Sequence, residues 1–384
     1  MCNTAIGNYC NNHVNWIEEL TLEPYCLKIK RDQGYVMFSY DQIRSDFNNR
    51  IVREARGIIF REGRWQNPVC WAFDKFGNYG ESYVPKIDWA TSFVTEKVDG
   101  SLIKMWYDGG SWNISTNGTI DAFSANMGDA MYGNFGEYFY ATVCNYYGLF
   151  DEFLLGLNKD LTYMFELVGP YNRVVIPYEK CAVYFLGARN KFTGAEYSCI
   201  PINAENLGVA RFNRPQIYPL LTLDDCINVA ETFSWDQEGF VVCDSNFNRV
   251  KIKSPAYVLA HFARNNNVIT RKHLIRIVLL NEVEEFMCYA ADYKDALEDV
   301  QKQMNLFVNV GDKLAEACRA VSDKLARPDY ARLVKALPEI YQGLLFCNYN
   351  SCVDMAAYTA NWSENKWEEY LEAFESLNLK MCGE

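Results

Sequence analysis

The hydrophobic period of this chain changes near Pro255, and that change restricts it to a strand-rich first part followed by a helical second part. From about residue 25 to 255, short β-branched and aromatic runs alternate with Gly, Asn and Asp, as strands joined by turns do. The runs Tyr35–Tyr40, Gly57–Phe60, Val69–Phe76, Phe93–Val98, Leu102–Tyr107, Trp112–Thr116, Tyr163–Val168, Ala182–Ala188, Glu238–Cys243 and Val250–Lys253 predict strands. Asp108-Gly109-Gly110 predicts a hairpin turn, because Gly accepts the positive φ that a tight turn needs. An aromatic helix-like stretch, Asn134–Leu157, interrupts the strands and makes this half mixed α and β. Beyond Pro255, Leu297, Val300, Met304 and Phe307, then Leu314, Cys318, Val321 and Leu325, follow helical spacing. Trp367, Leu371 and Phe374 do the same, with Ser363 placed as an N-cap. The expected domains are 1–257 and an all-α 258–384.

Composition excludes several classes. No apolar stretch approaches the length of a membrane span, and MCNTAIGNYCNN lacks the basic and apolar regions of a secretory signal, so a soluble intracellular protein is expected. With 37 Lys+Arg against 49 Asp+Glu the formal net charge is −12, which excludes coating of nucleic acid by bulk positive charge. Fourteen cysteines form no C-x-x-C and no zinc spacing, so reduced thiols packed as small core residues are expected. The three histidines, His13, His261 and His273, form no helical H-x-x-x-H pair.

Local charge differs from the global balance. Between Asp244 and Glu282 there is no acidic residue, while Arg249, Lys251, Lys253, Arg264, Arg271, Lys272 and Arg276 supply seven cations. This interval reads as an anion-binding stripe or, more plainly, as a solvated basic face. Residues 351–384 carry 2 basic and 7 acidic residues, so the last helix should face water.

Lys97 ends an apolar strand and is followed by Asp99 and Gly100. Such a lysine becomes a nucleophile when its surroundings leave some of its amine neutral, and Gly100 would let a phosphate approach the backbone. In Val250-Lys251-Ile252-Lys253 the strand period of two puts both ammonium groups on one face, where they repel unless an anion lies between them. Glu166 stands inside an apolar strand and Glu238 opens another; a carboxylate so placed needs a partner or a cation. With the clustered lysines, these glutamates read as a magnesium–nucleotide site.

The order Lys97-x-Asp99-Gly100, Phe165-Glu166, Glu238-Gly239, Lys251-x-Lys253 resembles the ordered motifs of the covalent nucleotidyltransferases: DNA ligases, RNA ligases and mRNA capping enzymes. Ser101 is similar to the RNA-ligase form. Phe38-Ser39-Tyr40, Glu54-Ala55-Arg56-Gly57-Ile58, Lys75-Phe76, Asn172-Arg173 and Pro177-Tyr178 further resemble the phage RNA ligase 1 family, over about residues 35 to 257.

The resemblance implies an α+β fold: an adenylyltransferase domain of antiparallel sheets with flanking helices, followed by an all-α domain. It implies that Lys97 attacks the ATP α-phosphate, that Lys251 and Lys253 contact that phosphate, and that Arg56 and Lys75 hold the β- and γ-phosphates. Glu166 would bind the ribose, Glu238 a magnesium ion (with manganese as a substitute), Tyr40 would lie in the nucleotide pocket, and Tyr257 matches a tyrosine needed for activity. Where the family has a basic residue this chain has Asn117, and Arg173 or Lys104 are the candidates to supply that charge. Glu284 and Glu285 fall near a family acidic pair, although a solvated helix face explains them as well. The implied reaction joins 5′-phosphate and 3′-hydroxyl ends of single-stranded or broken RNA, tRNA and perhaps single-stranded DNA among them. The implied setting is a cytoplasmic monomer, in the host cytoplasm if phage-encoded. Two rivals stay open at this level: a DNA ligase or GTP-using capping enzyme, and a nucleic-acid binding protein without catalysis.

Overall fold

Three antiparallel sheets build the strand-rich part in the computed structural model, which describes residues 4–128, 131–263, 269–349 and 351–382. The first sheet has the order β1-β2-β3, with β1 Lys28–Asp32, β2 Tyr35–Ser39 and β3 Arg56–Arg61. The other strands are β4 Phe93–Glu96, β5 Ser101–Asp108, β6 Ser111–Thr116, β7 Leu161–Val168, β8 Ala182–Asn190, β9 Glu196–Ser198, β10 Ile217–Tyr218, β11 Gly239–Cys243 and β12 Arg249–Lys253. They form a four-stranded sheet, β10-β4-β11-β12, and a five-stranded sheet, β6-β5-β7-β8-β9. The chain divides into two compact units, Met1–His261 and Phe262–Glu384.

Each sheet buries one face against helices. The five-stranded sheet packs Phe165 and Phe185 against Tyr138, Phe139 and Val143 of the helix Phe135–Tyr147. The three-stranded sheet closes on Ile6, Trp16 and Leu20 from two N-terminal helices, and the four-stranded sheet on Cys226 and Ala230 of the helix Leu223–Glu231. The hairpin turn is as expected: Asp108 pairs with Ser111 across Gly109 (φ 63°) and Gly110 (φ 90°).

One predicted strand is absent. Val69–Phe76 forms no ladder beyond an isolated bridge between Cys70 and Ile59. Its apolar run reflects burial on both sides, since Val69, Cys70, Trp71, Ala72 and Phe73 are all buried and the Trp71 N–H donates to Thr162 Oγ1 at 2.9 Å. Strand ends also shift by one or two residues; Val98 lies beyond β4, and Glu238 immediately precedes β11.

Unit Phe262–Glu384 is helical throughout its described elements. Its longest helix, Lys294–Ser322, buries Leu297, Val300, Met304 and Phe307, then Gly311, Ala315, Cys318 and Ser322. The expected continuation through Leu314, Val321 and Leu325 is half-buried instead, because the buried stripe passes through Gly311, Ala315, Cys318 and Ser322, and Leu325 lies beyond the helix end. Ser363 caps the last helix, Glu364–Cys382, its Oγ accepting from Lys366 N at 3.4 Å. That helix buries Trp367, Leu371 and Phe374, while its described acidic residues lie at least partly in solvent. No described helix is long and apolar enough to cross a membrane. The described cysteines are free thiols, seven of the twelve buried.

Candidate active site

A cavity of about 280 Å³ lies between the four- and five-stranded sheets. Arg56, Lys97, Gly100, Asn117, Glu166 and Lys251 line it together with Phe73, Phe76, Leu102 and Leu186. The fold thus brings residues spread over nearly two hundred positions to one place. They arrive there because strand alternation turns Leu102 and Glu166 from paired strands β5 and β7, and Val241 and Lys251 from paired strands β11 and β12, toward the same space.

Lys97 Nζ pairs with Glu238 Oε1 at 2.6 Å, and the Lys97 N–H donates to Gly239 O at 2.8 Å. Glu238 is buried (4% exposed), and among the described residues its Oε2 has no partner. Burial raises the Glu238 carboxyl above its ordinary range, while Lys97 and Lys253 pull it back. Glu166 is pushed up to about 8, chiefly by burial, with Lys97 opposing and the Glu238 charge adding.

The cavity lining also carries cationic side chains. Arg56 and Lys251 both lie over the Phe76 ring, each 5.2 Å from its centroid. Among the described residues no carboxylate pairs with either, and Arg56 Nη1 is buried without a partner. Burial, then Lys75, Lys253, Lys97 and Arg56, drive the Lys251 ammonium well below the ordinary lysine range. Lys253 pairs opposite Gly239 in the ladder, two residues along the same face of β12.

Five expected residues, Tyr40, Lys75, Glu238, Lys253 and Tyr257, are not among those that line the cavity. Lys75 Nζ sits over the rings of Tyr40 (5.2 Å) and Phe47 (5.0 Å) and reaches Gln42 Oε1 at 3.4 Å. Tyr257 is buried and donates from its hydroxyl to Asp99 Oδ1 at 2.9 Å. Asp99 Oδ2 accepts from the N–H groups of Val175 and Ile176 at 2.9 and 2.8 Å, so this carboxylate ties the lysine turn to the 172–178 loop and to the helix Pro255–Ala263. Gly100 serves packing: a Cβ there would stand 2.5 Å from Leu167 O and 2.7 Å from Val168 Cγ1.

The basic stripe separates into unlike parts. Arg249 is buried, pairs with Glu196 at 2.7 Å and lies 4.1 Å over the Phe73 ring; Arg271 pairs with Glu375 at 2.5 Å. Arg264 lies outside the described residues. Arg173 bonds within its own loop, Nε to Val175 O at 2.9 Å. Lys104 is fully buried with Nζ on Gly57 O at 2.6 Å, a position whose oddity was visible in sequence as a lysine inside the apolar run Leu102–Tyr107.

Two antiparallel sheets close on this lysine-bearing cavity, and a helical unit follows them in the chain. Residues 54–257 match the RNA ligase family. The chain belongs to that family, the RNA ligases of the phage RNA ligase 1 type that its motifs resemble. It is 25% identical over 355 residues to an RNA ligase of Rhodothermus phage RM378, covering 78% of each chain. It is 26% identical over 310 residues to a candidate bifunctional polynucleotide kinase/RNA ligase of Autographa californica nuclear polyhedrosis virus, covering 75% of this chain and only 42% of that one. An archaeal ATP-dependent RNA ligase structure aligns with a TM-score of 0.41 at 12% identity, covering 96% of this chain and 79% of the other.

Proposed function

We propose that this protein is an ATP-dependent RNA ligase that joins a 5′-phosphate to a 3′-hydroxyl through a lysyl-AMP. The observation that carries the proposal is the pair Arg56 and Lys251, two cations over one ring with no anion between them, in the cavity that Lys97 also lines. Such a cluster gains stability from a polyphosphate.

In the first step the Lys97 Nζ lone pair forms a bond to the ATP α-phosphorus as the bond to the pyrophosphate oxygen breaks. Glu238 is the nearest acceptor for the proton that Lys97 sheds, and burial, which raises its carboxyl, suits it to the task. Lys251 and Lys253 stabilise charge growing on the α-phosphate, while Arg56 and Lys75 hold the departing pyrophosphate. Glu166, partly protonated near neutrality, hydrogen-bonds the ribose. A divalent metal, magnesium or manganese, neutralises phosphate charge when bound. Among the described residues no group of three His, Cys, Asp or Glu converges, so Glu238 would hold it through Oε2, with water and phosphate supplying the remaining ligands. AMP then passes to the RNA 5′-phosphate, and the 3′-hydroxyl displaces it. Residues 1–257 perform adenylylation; the helical remainder, 258–384, selects broken RNAs such as a cut tRNA. The setting proposed is a cytoplasmic monomer.

The test is incubation with α-labelled ATP and magnesium. Labelled protein stable to alkali and released by acid, as a P–N bond is, is expected, with no label on Lys97→Ala. Absence of label on the wild type, or its survival in Lys97→Ala, rejects the reading.

A further inference from the structure

Lys104 is a fully buried cation that the chemistry described so far leaves unused. It stands on β5 two residues after Leu102, on the same face, and Leu102 lines the cavity. Its Nζ and Asn117 O lie 2.4 and 2.9 Å from the point where a Gly57 Cβ would stand, so the ammonium is wedged between the backbone that follows Arg56 and Asn117. Arg56 and Asn117 both line the cavity, and among the described residues the buried donor Arg56 Nη1 has no partner.

The hydrogen bond to Gly57 O does not explain a charge at this position, because any neutral donor of the same length would make it. A buried ammonium with one neutral acceptor loses its hydration without an equivalent return. Among the described residues no carboxylate pairs with Lys104, and the charge beside it, Arg56, repels it. Burial pulls this ammonium down to about 8, with Arg56 adding to the fall and Cys70 opposing it. A polyanion at the Arg56–Asn117 end would reverse that cost.

We propose that Lys104 is a buried positioning cation for the pyrophosphate portion of the nucleotide, acting from behind the cavity wall through the field it adds at Arg56 and Asn117. The identity of the nucleotide rests on the ligase reading; the preference for a polyphosphate over a monophosphate does not.

The test is titration calorimetry of the full chain with inorganic pyrophosphate, with AMP and with magnesium-ATP. The variant is Lys104→Gln, which removes the charge and offers a shorter neutral donor toward Gly57 O; thermal unfolding checks that it folds, and Lys104→Met of similar length replaces it if it does not. The expected result is about a tenfold loss of affinity for pyrophosphate and ATP, with AMP unchanged. Adding Asn117→Lys, which returns a cation to the same end, is expected to restore most of the lost pyrophosphate affinity. Unchanged pyrophosphate binding, an equal loss for AMP, or a double variant that stays weak would overturn the proposal. Pyrophosphate and AMP bind without covalent transfer, so a failure of the ligase reading appears separately, as a wild-type protein that binds pyrophosphate but takes no label.

Discussion

At the scale of single residues, the candidate site holds one close ion pair, Lys97 with Glu238, beside the cations Arg56 and Lys251, which pair with no carboxylate among the described residues, and titration in the site is measurable. Glu166 holds its proton to about pH 8 in the folded chain, whereas in the unfolded chain it ionises near the ordinary value of 4.5. Between those limits the folded state binds more protons than the unfolded state, so this carboxyl makes stability fall as pH rises from about 4.5 toward 8. Glu166→Gln mimics the protonated form and removes that contribution. Urea unfolding of both proteins at pH 5, 6.5 and 8 is expected to show the variant gaining on the wild type as pH increases. A constant difference across the series would show that Glu166 is not the group that titrates. Lys251 works in the opposite sense, because a lysine pulled below its ordinary range makes stability rise with pH, so the comparison must be variant against wild type rather than one curve alone.

At the scale of elements, the contact between Tyr257 and Asp99 joins three segments that are far apart in sequence. The Tyr257 hydroxyl holds Asp99 Oδ1, and Asp99 Oδ2 in turn gathers the N–H groups of Val175 and Ile176. Tyr257→Phe leaves one buried carboxylate oxygen without its donor, a loss of about 1–3 kcal/mol in unfolding free energy. Its expected kinetic signature is slower labelling of Lys97 with little change in pyrophosphate affinity, since Tyr257 does not line the cavity; equal weakening of pyrophosphate binding would place it in the pocket after all. This contact also shows what a sequence conveys and what it does not. Position at the end of, inside or at the start of an apolar strand brought Lys97, Glu166 and Glu238 forward, and strand alternation did so for Lys251 and Lys253. Neither gave any signal that Asp99 and Tyr257 would meet across 158 positions. The strand β1, Lys28–Asp32, was missed because its sequence, KIKRD, is charged and largely exposed, without the apolar alternation of a half-buried strand. The helix Leu223–Glu231 carried a readable signal that was passed over, the capping box of Thr222 and Asp225. Val69–Phe76 misled for the converse reason, being apolar through burial and not through ladder pairing.

At the scale of the whole molecule, the net charge of −12 and the cationic cavity are compatible because the cations that matter are few and enclosed, while the acidic excess is spread elsewhere. The two compact units allow the division of labour to be tested directly. Every residue placed at or beside the cavity, and the helix Pro255–Ala263 that carries Tyr257, lies within residues 1–263. A chain ending there is expected to fold and to take label from α-labelled ATP about as fast as the full protein. On a panel of nicked, single-stranded and tRNA-like RNAs it should join ends with a changed order of preference. The complementary experiment keeps the full length and weakens the helical unit from inside. Phe307 is fully buried among Tyr341, Trp367 and Phe374, with ring centroids 5.0 to 5.8 Å away. Phe307→Ala should cost that unit about 3–5 kcal/mol, seen as an earlier unfolding transition, while the rate of Lys97 labelling stays at the wild-type value. Slow labelling in a soluble, folded 1–263 chain, or in Phe307→Ala at a temperature where both units remain folded, would mean that the helical unit takes part in adenylylation itself.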